Sequence, residues 1–162
     1  MKSDKTSLFR DLEEHFVERV MYNAGKEHLP GGRVIFSQGD PAERAYFLIK
    51  GTVELTIGTE GRLVYTADKP GEFIGWSSLT GGDVYSATAT TVGNTRLLSI
   101  KREDLYEAME RYPASGMIIY ERLAAILGSR LIRIYQTMSE SYGDFPLPMD
   151  KDQPLHFIAA EA

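Results

Sequence analysis

From His28 to Ile100 the sequence is a succession of short β-branched and aromatic runs cut by glycine, proline and aspartate, and this spacing leaves few folds open. HLPGGRVIFSQGD and AYFLIKGTVELTIG carry the first runs, with Pro30, Gly31 and Gly32, then Gly39, Asp40 and Pro41, as punctuation. RLVYTADKPGEFIG, VYSATATTVGN and TRLLSI keep the rhythm. Parallel strands would need crossover segments that this spacing does not supply, so the pattern predicts an antiparallel sandwich or barrel. The stretch 71–91, GEFIGWSSLTGGDVYSATATT, stands apart. It holds a strand-like opening, a polar stretch long enough for one helical turn, a Gly-Gly-Asp turn and a second strand. What fills the gap under that turn is the functional question the sequence poses.

Helical periodicity brackets the strands. Leu8, Phe9, Leu12, Phe16, Val17 and Val20 recur at helical spacing and predict an amphipathic first helix. KREDLYEAMERY predicts a short one after the last strand, with Glu103 and Asp104 near its start. Pro113 suits a first helical position, and with no further proline up to Met138 one long helix follows. Ile119, Leu123, Ile126, Leu127, Leu131, Ile134 and Met138 form its apolar stripe, which Ile118, Tyr120, Ala124, Ala125, Ile132 and Tyr135 widen beyond one face. A helix apolar on two sides needs two partners: one face on the strands, the other on its copy in a homodimer through residues 114–138. A merely well-buried helix is the competing reading. The fold class expected is α+β, an antiparallel β-roll (double-stranded β-helix, jelly-roll-like) with an N-terminal helix and a long C-terminal helix.

Bulk composition narrows function mainly by exclusion. With 162 residues, 43% of them hydrophobic, the chain can bury one sizeable core. A net charge of −5 and no run of Lys and Arg argue against direct contact with nucleic acid. The start, MKSDKTSLFRDLEE, lacks the apolar stretch of a signal peptide, and no segment approaches the roughly 18 apolar residues of a membrane span, so a cytoplasmic protein without membrane contact is expected. No cysteine is present, which removes disulfides, thiolate-held clusters and a thiol nucleophile.

Helix, roll, short helix and long helix, with GGRVIFSQGDPAERAYFLIKGTVEL followed by KPGEFIG and a strand, resemble the cyclic nucleotide-binding domain of catabolite-activator-type bacterial regulators. The resemblance spans about residues 8 to 138. It implies that 71–91 is the phosphate-binding cassette, a short helix whose N-terminal amides meet a cyclic phosphate, followed by an Arg that neutralises it; a Glu after the Phe-Ile-Gly segment takes the ribose hydroxyl. Here Trp76 stands at the Glu position and Tyr85 at the Arg position, while Ser86 matches the pattern. A buried phosphate without its Arg costs several kcal/mol, so ordinary cyclic AMP binding is not expected.

The remaining candidates for a ligand site are Gly75, Trp76, Ser77, Ser78, Tyr85, Ser86 and Arg130. Gly75 allows close backbone approach. Trp76 either stacks a planar molecule or fills the vacated pocket, with Tyr85 closing it. Ser77 and Ser78 either cap the cassette helix or donate to an anion. Arg130, near the purine-contacting position that the resemblance implies on the long helix, either reaches a ligand or packs its stem and pairs across a dimer.

An enzyme is not expected. Metal-dependent cupins share the β-roll look but need two or three His and a carboxylate inside the barrel. The histidines are His15, His28 and His156, placed by sequence in the first helix, a loop and the tail. Neither a metal, nor a cofactor, nor an acyl-transfer or Walker-type pattern is indicated. Residues 139–162, with three prolines and several acids, predict an extended tail too short for a DNA-binding domain, though FPLP and LHFIAA are apolar enough to dock. The expectation is therefore a regulatory domain, residues 1–138, dimeric and sensing a small planar ligand. Two alternatives stand beside it: a protein-interaction module with a filled pocket, and a cyclic nucleotide sensor with substitute phosphate contacts.

Overall fold

A computed structural model describes residues 8–142, and side chains over 8–138. Two compact units divide the chain, 1–125 and 126–162. In order come α1 (Glu14–Tyr22), β1 (Gly25–Leu29), β2 (Val34–Phe36), β3 (Arg44–Lys50), β4 (Val53–Ile57), β5 (Arg62–Ala67), β6 (Phe73–Ile74), a 3-10 turn (Trp76–Leu79), β7 (Thr88–Thr91), β8 (Thr95–Lys101), α2 (Arg102–Arg111) and α3 (Pro113–Tyr142). The strands make two antiparallel sheets, β1-β8-β3-β6 and β2-β7-β4-β5. This is the α+β antiparallel β-roll expected from the turn spacing.

Alternation along each strand decides which face enters the core. In β4, Val53 and Leu55 are buried while Glu54 and Thr56 are not. β3 is buried on both faces. Tyr46 and Leu48 join Val53, Leu55 and Leu97 inside the roll, and Phe47, on the opposite face, sits 5.1 Å from Phe9 and 5.1 Å from Phe73, ring to ring. Gly51 has φ 111°, and a Cβ there would lie 2.8 Å from the Asn94 carbonyl oxygen, so the β3–β4 turn can close against β8 only with glycine.

The helices of the first unit are held by packing more than by charge. Phe16 and Val20 of α1 and Leu105, Ala108 and Met109 of α2 are buried. An ion pair joins Arg19 to Glu107, and Asn23 donates to Asp104 at 3.0 Å. Such exposed polar contacts contribute about 1 kcal/mol at most, whereas burying Phe16 contributes about 1.5–3 kcal/mol.

Several sequence expectations need correction. The first helix does not begin at Leu8: residues 8–11 form a turn, with Asp11 in the left-handed region at φ 54°, and α1 starts at Glu14. Leu8 and Phe9 are nonetheless buried, and Arg122 donates to the Leu8 carbonyl at 3.1 Å and to that of Arg10. His28 lies in β1, not a loop, because GKEHL pairs with β8 despite its polar composition; its side chain is exposed. α3 runs past Met138 to Tyr142, so the expected tail 139–162 begins as helix. FPLP, LHFIAA and His156 lie outside the described residues.

The stripe on α3 divides. Ile119 and Leu123 are buried at 0% and 2% exposure, whereas Leu131, Ile132, Ile134, Tyr135 and Met138 are exposed, Tyr135 at 57%. Among the described residues no helix is long and apolar enough to cross a membrane.

Candidate functional site

β6 leaves its pairing with β3 after Ile74, and the chain turns at once through Gly75. Gly75 has φ 82°, and an added Cβ would approach the Arg44 carbonyl oxygen to 3.1 Å and Cε1 of Tyr85 to 3.2 Å. The left-handed conformation favours glycine, and a Cβ would also crowd these two neighbours. The expected helical turn follows as four residues of 3-10 helix, Trp76–Leu79, with no side chain capping its start. Ser78 is fully buried and its Oγ donates to the Gly75 carbonyl at 2.8 Å. Ser77 Oγ lies 3.5 Å from Ser86 Oγ.

The second strand of the stretch begins later than its sequence suggests. β7 starts at Thr88, and Tyr85 and Ser86 belong to the connection before it. That connection is nevertheless pinned. The Tyr85 N–H donates to the Asp40 carbonyl and the Gly39 N–H donates to the Tyr85 carbonyl, both at 2.9 Å, while Pro41 and Val84 form a β-bridge. Register with the 39–42 loop, more than strand propensity, fixes where the Tyr85 ring goes.

The ring goes into the space under the turn. Tyr85 is 4% exposed and stacks on Phe36, centroids 3.7 Å apart and planes 15° apart. Phe36 in turn lies 5.7 Å from Tyr46. The Tyr85 hydroxyl donates to the Arg44 carbonyl oxygen at 2.8 Å and accepts from the Arg44 N–H at 3.1 Å. One phenol thus satisfies both backbone groups at the first residue of β3, and leaving them bare would cost about 1–3 kcal/mol. Burial raises the pKa of Tyr85, opposed by its hydrogen bond to Arg44; burial, then the neighbouring Tyr85, raises that of Tyr46. Neither phenol ionises near neutrality, so the lining carries no charge from them.

What remains open is a cavity of about 10 Å³ bounded by Phe36, Leu55, Gly75, Trp76, Ser77 and Tyr85, with the exposed Ser86 also at its wall. That is room for one water at most. Of the residues expected at a ligand site, Gly75, Trp76, Ser77, Tyr85 and Ser86 converge on this cavity. The Ser78 hydroxyl is committed to backbone instead. Arg130 stands on α3 within the 126–162 unit. Phe36 and Arg44 were not anticipated: VIF is apolar throughout, so nothing local singles out Phe36 or pairs it with Tyr85, and Arg44 takes part through its backbone, whose role no side-chain pattern reports. Among the described residues there is no group of three or more His, Asp or Glu arranged to hold a metal. His15 meets only Glu18, at 3.3 Å on the surface of α1.

Comparison with known proteins places this geometry in a family. The model of the cyclic nucleotide-binding domain matches residues 26–112. The cyclic AMP receptor protein of Thermus thermophilus is 32% identical over 127 residues, 76% of this chain and 56% of that protein. A provisionally named potassium channel protein of Rhodopseudomonas palustris is 29% identical over 78% of this chain and 31% of the channel. The chain thus spans about half, or less, of the length of these relatives. A solved protein of Geobacter metallireducens, provisionally named for cyclic nucleotide binding, superposes with a TM-score of 0.70 at 26% identity over 78% of this chain and 92% of that one. These relatives are named as a receptor, a channel and a binding protein. With a matching model over more than half its length and this β-roll, the chain belongs to the cyclic nucleotide-binding domain family.

Proposed function

We propose that this chain is a non-catalytic regulatory module that keeps the cyclic nucleotide-binding fold but acts through protein contacts, its pocket filled from within by Tyr85. One observation carries the reading: Tyr85, at the position where the family resemblance implies a phosphate-binding Arg, lies stacked on Phe36 with about 10 Å³ left beside it. A drug-sized ligand needs roughly 300 Å³ or more. The ring also brings no positive charge for a phosphate. The contact surface is proposed on α3, through residues 114–138 pairing with a second copy of the chain. Exposed Leu131, Ile134, Tyr135 and Met138 recur there at the spacing of a helix–helix seam.

Calorimetric titration of the whole chain with cyclic AMP and cyclic GMP tests this. The expected outcome is no saturable heat up to millimolar nucleotide, and micromolar binding would overturn it.

A second reading has one observation in its favour: Trp76 is only half-buried at the cavity wall, with Ser86 exposed beside it. If the Tyr85 ring swings out, Gly75, Trp76, Ser77 and Ser86, with Tyr85 itself at the rim, would be the candidates to hold a small planar ligand other than a cyclic nucleotide. A panel of small aromatic acids in the same titration separates the two readings, since only the second gives binding.

A further inference from the structure

A second concavity of the first unit lies apart from the one under the Gly75 turn. A cleft of about 210 Å³ opens where β3 begins and β8 passes into α2, lined by Glu43, Arg44, Lys101, Arg102 and Glu103. Arg44 and Lys101 are directly opposed in the antiparallel register of β3 and β8, so their side chains leave the same face of the sheet. Like charges so placed repel each other. Among the described residues neither makes an ion pair; the Arg44 guanidinium donates to Ser99 Oγ at 3.4 Å and lies near the Tyr46 and Tyr85 phenols. Arg102 is held at the side of the cleft, its N–H donating to the Glu43 carbonyl at 2.8 Å, its Nη1 to the Gly82 carbonyl at 3.1 Å, and its guanidinium 5.5 Å from the centre of the Tyr106 ring.

We propose that this cleft is a binding site for a small multivalent anion of the diphosphate class, seated between Arg44 and Lys101 with Arg102 beside it. The space is ample for such an anion and below the roughly 300 Å³ of a drug-sized ligand pocket. A bridging anion relieves the repulsion that the opposed cations otherwise carry, and guanidinium and ammonium together suit phosphate oxygens. Glu43 and Glu103 in the lining oppose the anion and keep its affinity modest. The site uses no side chain of the Tyr85 pocket, so its failure and that of the proposed function are separate results.

The test is thermal unfolding of the whole chain in sodium pyrophosphate against sodium chloride at matched ionic strength. At about ten times Kd, pyrophosphate should raise the melting temperature by roughly 3–6 °C above the chloride control. Lys101→Met, at an exposed position, should abolish most of that rise, and Glu43→Gln should lower the pyrophosphate Kd several-fold. Equal melting temperatures in the two salts overturn the proposal. So does a full rise retained in Lys101→Met, or weaker binding in Glu43→Gln, which would mean that the carboxylate serves to neutralise the cleft.

Discussion

Two tyrosines mark the two regions that matter most. Tyr85 is 4% exposed, with ring and hydroxyl both satisfied; Tyr135 is 57% exposed among equally apolar neighbours. Under the Gly75 turn, the stacked Tyr85 and Phe36 rings leave about 10 Å³ open. On the distal half of α3, where the same sequence stripe continues past Leu123, apolar side chains remain facing solvent. On the proposed reading, the contrast teaches where binding free energy is still unspent: in the exposed helix surface more than in the interior.

Substitutions that break this contrast should differ widely in size. Tyr85→Ala removes a buried ring and both hydrogen bonds to Arg44, and should cost about 3–5 kcal/mol in urea unfolding. Tyr135→Ala, measured alongside at a concentration where the chain is monomeric, should cost about 0.5 kcal/mol or less. Tyr85→Phe keeps the ring but strands the Arg44 N–H and carbonyl, for about 1–3 kcal/mol. The phenol also leaves a signature in pH. Because its folded pKa is raised, its contribution is fully present below the unfolded value of about 10 and is lost as pH rises toward the folded one. Tyr85→Phe should therefore lose stability less steeply than the parent above about pH 10.

Gly75→Ala forces an L-residue into the left-handed region against the Arg44 carbonyl, a cost of about 1–2 kcal/mol read from the same unfolding curves. The smallest effect on folding sharpens the other side of the comparison. Leu131→Asp, exposed on α3, should change monomer stability by about 0.5 kcal/mol or less while shifting sedimentation from dimer to monomer.

How much of this was legible in the sequence differs by element. The β-roll was, because VELTI and its neighbours alternate at the strand period and glycines punctuate them. β1 was not: GKEHL has no apolar alternation and becomes a strand by pairing with β8. Leu8 and Phe9 read as helix because apolar spacing says only that a residue is buried, and here a turn buries them. In the candidate site, the family resemblance picked out Trp76 and Tyr85, but neither it nor local pattern could report what Tyr85 meets. Its partners Phe36 and Arg44 are distant in the chain, and the hydrogen bonds go to backbone.

The position of the Tyr85 ring in solution tests the central claim most directly. Nuclear Overhauser contacts between the Tyr85 and Phe36 rings, recorded with and without millimolar cyclic AMP, report whether the pocket stays filled. The account predicts strong contacts that the nucleotide leaves unchanged. Contacts that are absent, or that vanish as cyclic AMP is added, would contradict it.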